Sequence, residues 1–139
     1  VGPAASWSSV HWDFASTESS ATPDSVLLSV IGINAAGQEF TLLSGVQQNT
    51  KDFSISNIDA SIYPYLKLKL YAQDGTNRTP PQLTKWQVYY DPVPEGTINP
   101  TYFTFNSDTV QEGQNVSLKI AFENISTVAM DSLLVDYYL

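Results

Sequence analysis

The chain holds a single histidine, His11, with Asp13 two positions on and Ser6, Ser8 and Ser9 just before it. Serine, histidine and aspartate are the residue types of nucleophilic acyl transfer, in which the imidazole takes the hydroxyl proton and the carboxylate orients the ring. The strained turn that presents such a serine is missing around residues 6–9. The alternative is an ordinary strand histidine whose nitrogens are satisfied. Glycoside hydrolysis needs two acids held across a cleft, and the fourteen Asp and Glu form only nominal pairs in no recognisable setting. We expect no catalytic residue in this segment.

Oxygen donors gather at Asp74, the Gly75 carbonyl and Asn77, and ligands of that kind suit calcium. The D-x-D-x-D-G spacing of an EF-hand is absent, so a solvated turn is the competing reading, and no other cofactor is implied. There is no cysteine, which excludes a thiolate nucleophile, a disulfide framework and a zinc–thiolate site within these residues. Tyr65, Tyr71 and Tyr89 fall opposite the apolar positions of their segments. Flat rings there suit stacking on a sugar. They suit covering a partner domain better, because the polar tip of tyrosine tolerates an interface. Three N-x-[ST] triplets begin at Asn77, Asn115 and Asn124, and they carry no information outside a glycosylating pathway.

Charge narrows the partners. Six basic residues against fourteen acidic leave a net charge of −8, whereas nucleic-acid binding rests on Lys and Arg neutralising phosphates. Nucleic acid and anionic membrane surfaces are therefore excluded as expected partners. No apolar run approaches the ~20 residues that span a bilayer as a helix. An apolar share of 42% is enough for a globular core.

The elements that must position these residues follow a period of two. Residues 64–72 place Leu66, Leu68, Leu70 and Ala72 on one side and Tyr65, Lys67, Lys69 and Tyr71 on the other. Residues 85–90 repeat the pattern with Trp86, Val88 and Tyr90 inward, and the proline-stiffened stretch from Asp74 to Pro81 separates the two as a loop. Residues 7–14 set Val10, Trp12 and Phe14 against Ser9, His11 and Asp13. Residues 25–34 are apolar on both sides, the mark of a central strand, and Ala35-Ala36-Gly37 turns into a strand over 38–43. A short strand is expected at 52–55, and residues 15–24 read as a loop. Pro92 and Pro94 flank Val93 and suit a linker. Three more strands are expected beyond it, at 102–105, 115–123 and 132–139. Helical periodicity is absent, so the fold class is all-β.

Two blocks carry a family resemblance. Tyr63 to Leu70, Arg78 to Leu83 and Trp86 to Tyr90 resemble the closing strands of galactose-binding-like jelly rolls. Pro94-Glu95-Gly96, Asn99-Pro100, Gly113, Phe122 to Ser126 and Met130 to Leu133 look like the start of a CARDB-type, immunoglobulin-like module. In this order the pair is similar to the region downstream of the peptidase domain in exported bacterial proteins of the gingipain-type cysteine peptidase family, whose relatives include the sortase-like component of type IX secretion. The resemblance runs from about Trp7 onward. It implies export and a cell-envelope or extracellular location. It transfers no catalytic residue, since the family's Cys and His belong to another domain.

The expected architecture is thus a jelly-roll-like β-sandwich over 1–92, a linker at 93–96 and a partial immunoglobulin-like sandwich over 97–139. The first core is expected to hold Trp12, Val26, Leu28, Val30, Leu66, Leu68, Leu70, Trp86 and Val88. The second is expected to hold Phe103, Phe105, Val116, Leu118, Ile120, Leu133 and Val135. Val1-Gly2-Pro3 lacks the features of a signal peptide, so any export signal is expected outside this segment, and the chain reads as a piece of something longer. The expected function is that of a non-catalytic structural and interaction module that positions or docks neighbouring domains of the same protein or another envelope protein. The alternative is a carbohydrate-binding module using Tyr65, Tyr71 and Tyr89 or the 74–83 loop. The unpaired edge of the C-terminal piece is expected to dock on the first domain or to exchange strands in a dimer.

Overall fold

The structure, a computed structural model, describes residues 1–16, 24–74, 79, 81–105, 109–131 and 133–136. Eight strands run in chain order: β1 (Ala4–Ala15), β2 (Ser25–Ile33), β3 (Glu39–Gln47), β4 (Asp52–Ser54), β5 (Tyr65–Gln73), β6 (Gln82–Pro92), β7 (Gly96–Phe105) and β8 (Leu118–Asn124). The fold is all-β: no helix occurs among the described residues, and the strands form three antiparallel sheets. The chain divides into two compact units, Val1–Pro92 and Val93–Leu139.

In the first unit, one sheet has the order β4-β1-β6 and the other β3-β2-β5. Their inner faces share one core, the arrangement of a β-sandwich. The apolar residues on both sides of 25–33 explain why β2 is central. Val26, Leu28 and Val30 are fully buried, and Ile31 is buried from the other side. Strand β1 is central in its own sheet. A register shift between Trp7 and Ser9 lets Trp7 point inward with Val10 and Trp12, although Val10 follows Trp7 by an odd offset of three positions. Both buried indoles satisfy their N–H on loop carbonyls, Trp7 on Tyr63 at 3.0 Å and Trp12 on Thr50 at 2.7 Å.

The β2–β3 hairpin turns at Asn34–Gln38, where Asn34 Oδ1 accepts the N–H groups of Ala36 and Gln38. Gly37 supplies the positive φ of 76° that the turn requires. Gly32 answers a different need. A Cβ there would lie 2.7 Å from both Leu42 and the Tyr63 ring.

Several expected core positions are corrected. Trp86 faces inward opposite Trp12 but is 38% exposed, because β6 is an edge strand whose open flank no strand among the described residues covers. Leu68, Leu70 and Val88 are half-buried for the same reason. Ile55, absent from the expected core, is fully buried. In the second unit, Phe103, Phe105, Val116, Leu118, Ile120, Leu133 and Val135 are all exposed. A two-stranded sheet cannot enclose an apolar face, and among the described residues only β7 and β8 pair there. The strand expected at 132–139 is absent over its described part: residues 133–136 join no ladder, and Ser132 and 137–139 lie outside the described residues. The loop at 15–24 is described only at residues 15, 16 and 24, of which Ala15 still belongs to β1.

Candidate functional site

The outer face of the β4-β1-β6 sheet gathers most of the chemistry-bearing side chains. Register puts His11 opposite Asp52 on β4 and opposite Gln87 on β6, and puts Ser9 between Ser54 and Tyr89. Cross-strand neighbours on one face stand ~5 Å apart, which brings Ser9, His11, Asp52, Lys85 and Tyr89 into one cluster. His11 Nδ1 lies 2.5 Å from Asp52 Oδ1, and Nε2 lies 2.9 Å from Ser9 Oγ. The neutral tautomer protonated on Nδ1 satisfies both contacts: Nδ1–H donates to Asp52, and Nε2 accepts from the Ser9 hydroxyl. The Tyr89 ring meets the imidazole edge-on at 5.0 Å. Lys85 Nζ approaches Asp52 Oδ1 to 3.9 Å.

The acid beside the histidine is therefore Asp52 and not the sequence neighbour Asp13. Asp13 Oδ1 is held by Lys51 Nζ at 2.6 Å and accepts the Phe14 N–H at 2.8 Å. The Lys51 contact first, and then that N–H, hold the Asp13 carboxyl below the usual carboxylate range. A hydrogen-bonded order of serine, histidine and aspartate is a formal resemblance to an acyl-transfer triad. Its surroundings differ. Ser9 lies in an extended central strand with a paired strand on each side, so its N–H points along the sheet. An oxyanion hole needs donors aimed at the developing charge.

The three tyrosines do not share a face. Tyr65 and Tyr71 stand on the outer side of β5 in one sheet, six residues and therefore ~20 Å apart. Tyr89 stands on β6 in the other sheet, whose outer face points the opposite way. The expected single stacking surface is thus divided between two sides of the sandwich. Alternation assigns a residue to a side of its strand and leaves open which sheet the strand joins. At the expected calcium loop, Asp74 Oδ2 accepts the backbone N–H of Thr79, which closes the loop on itself. Asn77 lies outside the described residues. Among the described residues no group of three His, Asp or Glu is placed to hold a metal ion.

Sequence reasoning missed one feature. A groove of about 430 Å3 opens between the edges of β5 and β6, lined by Val1, Ile33, Leu66, Lys67, Leu68, Trp86 and Val88. A tryptophan on a strand whose neighbour begins and ends in loops was the available signal, but alternation alone reads it as core. In the second unit, a groove of about 320 Å3 is lined by Ile98, Ile120, Phe122 and residues 133–136. No protein-family model, curated protein or solved structure matches this chain.

Proposed function

We propose that this chain is a non-catalytic structural and interaction module of an exported, cell-envelope or extracellular protein, and that it docks neighbouring domains. The observation that carries the reading is the apolar surface each unit leaves uncovered. In the first it is Trp86, which faces inward yet is 38% exposed. In the second it is Ile98, Ile120, Phe122, Leu133 and Val135, all exposed beside one groove. Contiguous apolar surface of this kind marks interaction sites. The motif resemblance supports the finer assignments, a galactose-binding-like jelly roll and a CARDB-type module of the gingipain-type family, and with them export.

A photocrosslinking residue placed at Trp86 or at Phe122, in the protein made by its own cells, tests this. The reading predicts discrete adducts whose partner peptides map to another domain or envelope protein. No adduct at either position would overturn it. Carbohydrate binding remains the second reading, through Tyr65 and Tyr71, which share an exposed strand side, or through the 74–83 loop. A glycan array on the chain, with and without calcium, tests it.

A further inference from the structure

We infer that one end of the first sandwich binds a calcium ion between Asp24 and Asp74, with Ser16 and Thr79 fixing the two carboxylates. This goes beyond the docking reading and does not rest on it.

Alternation brings these residues together. The inward side chains of β1 run Val10, Trp12, Phe14, and the next position in that series is Ser16. Those of β2 run Val30, Leu28, Val26, and the series continues to Asp24. Those of β5 run Leu66, Leu68, Leu70, and the series continues through Ala72 to Asp74. Three inward series that are apolar in the core thus each end on an oxygen-bearing side chain. They end at the same place. The β2–β5 register closes on Ser25 opposite Gln73, so the next pair outward is Asp24 and Asp74. Residues so paired share a side of the sheet, with Cβ atoms ~5 Å apart. The Ser16 hydroxyl donates to Asp24 Oδ2 at 2.8 Å, which ties the end of β1 to this pair.

Burial sets Asp24 apart from the other acids. At 2% exposure it is the one buried polar or charged residue among those described. Its Oδ1 is shut off from solvent and has no hydrogen-bond partner among the described residues. No ion pair among them reaches it either: Lys51, Lys67 and Lys85 serve Asp13, Glu39 and Asp52. An ionised carboxylate withdrawn from water is strongly disfavoured unless a counter-charge meets it. A second carboxylate beside it adds repulsion. One cation shared by Asp24 and Asp74 removes both penalties.

The hydrogen bonds match the surroundings of a metal ligand. Each carboxylate is held through one oxygen, Asp24 Oδ2 by the Ser16 hydroxyl and Asp74 Oδ2 by the Thr79 N–H. Ligating carboxylates are commonly oriented by such donors behind them, and the arrangement directs Asp24 Oδ1 to the ion. The donors are oxygens, with no imidazole or thiolate, which selects a hard cation. Two carboxylates supplemented by backbone carbonyls and water suit calcium, whose coordination is large and tolerant. Magnesium demands near-octahedral geometry and dehydrates reluctantly.

The probe is calcium chloride, titrated into the full chain after treatment with a chelator. Calorimetry should find one site with a Kd on the order of 10⁻⁴ M, toward the weak end for calcium, as two carboxylates imply. Saturation should shift the amide resonances of Ser16, Ser25 and Gln73 and leave those of Ser9, His11 and Asp52 in place. It should also raise the Tm of the parent chain. Asp24→Asn keeps the side-chain shape and removes the charge; it should weaken calcium about tenfold or more and abolish the rise in Tm. Ser16→Ala, which acts through Asp24, should weaken calcium about tenfold. Asp13→Asn removes an acid from the outer face and should leave the Kd unchanged.

Absence of calcium-dependent shifts at Ser25 and Gln73 up to ~10 mM, above the range of weak calcium sites, overturns the assignment and leaves a carboxylate satisfied by water. Equal Kd values for the parent and Asp24→Asn overturn it too, as do shifts confined to the outer face. If Asp24→Asn does not fold, the amide shifts of the parent and the Kd of Ser16→Ala decide.

Discussion

Trp12 and Trp86 face each other across the β1–β6 ladder, and their exposures are 1% and 38%. The two indoles have the same inward orientation, yet one is enclosed by the β3-β2-β5 sheet and the other stands at the flank that this sheet does not reach. Their substitutions should separate accordingly. Trp12→Ala leaves a large cavity and should cost about 3–5 kcal/mol, a large share of the stability of a domain this size. Trp86→Ala should cost less than half as much, about 1–2 kcal/mol, since a partly exposed side chain loses less buried area. Denaturant titration of the two variants checks the order, and equal losses would place Trp86 in a closed core.

The Ser9–His11–Asp52 cluster should behave as a surface network. Asp52→Asn should change stability by under ~1 kcal/mol, as for exposed pairs generally. If the cluster is not an acyl-transfer site, Ser9→Ala should leave any slow hydrolysis of p-nitrophenyl acetate by the chain unchanged. A rate that falls with both Ser9→Ala and His11→Ala would assign nucleophilic catalysis to it.

Two carboxyls tie stability to acid pH. Asp13 is held low by Lys51 and then by the Phe14 N–H. Asp59 is held low by the Ser61 hydroxyl, the Ser61 N–H and the Ile62 N–H. A carboxyl depressed in the folded state adds stability above its unfolded pKa and loses it as pH falls through the folded value. Both contributions should therefore be intact at neutral pH and lost below the ordinary aspartate range. Carboxyl NMR titration should find both midpoints under 3.8, and Asp59→Asn should flatten the acid limb of the stability curve. Lys51→Ala should raise the Asp13 midpoint alone.

Gly32 offers a steric test free of charge effects. Its Cβ would fall 2.7 Å from Leu42 and from the Tyr63 ring, closer than packed side chains tolerate. Gly32→Ala should destabilise the first unit by about 1–3 kcal/mol, as overpacking does. Gly37→Ala, with open space around its Cβ but a φ of 76°, should cost about 1 kcal/mol through the backbone alone. Thermal melts of the pair distinguish crowding from backbone strain.

The all-β class and the course of most strands were legible in the residues, because a period of two has one physical cause: successive side chains leave a strand on opposite sides. It placed His11 with Ser9, and Tyr65 with Tyr71, on shared sides. The central position of β2 was legible too, in the apolar residues on both of its faces. Partners across the sheet were not. Asp52 reaches His11 over 41 positions of chain, and nothing local distinguishes it from Asp13. The separation of Tyr89 from Tyr65 and Tyr71 and the exposure of Trp86 likewise depend on which sheet each strand joined and where that sheet ended. Burial is a property of what covers a face, so only the tertiary structure could decide which inward side chains became core and which line an open edge.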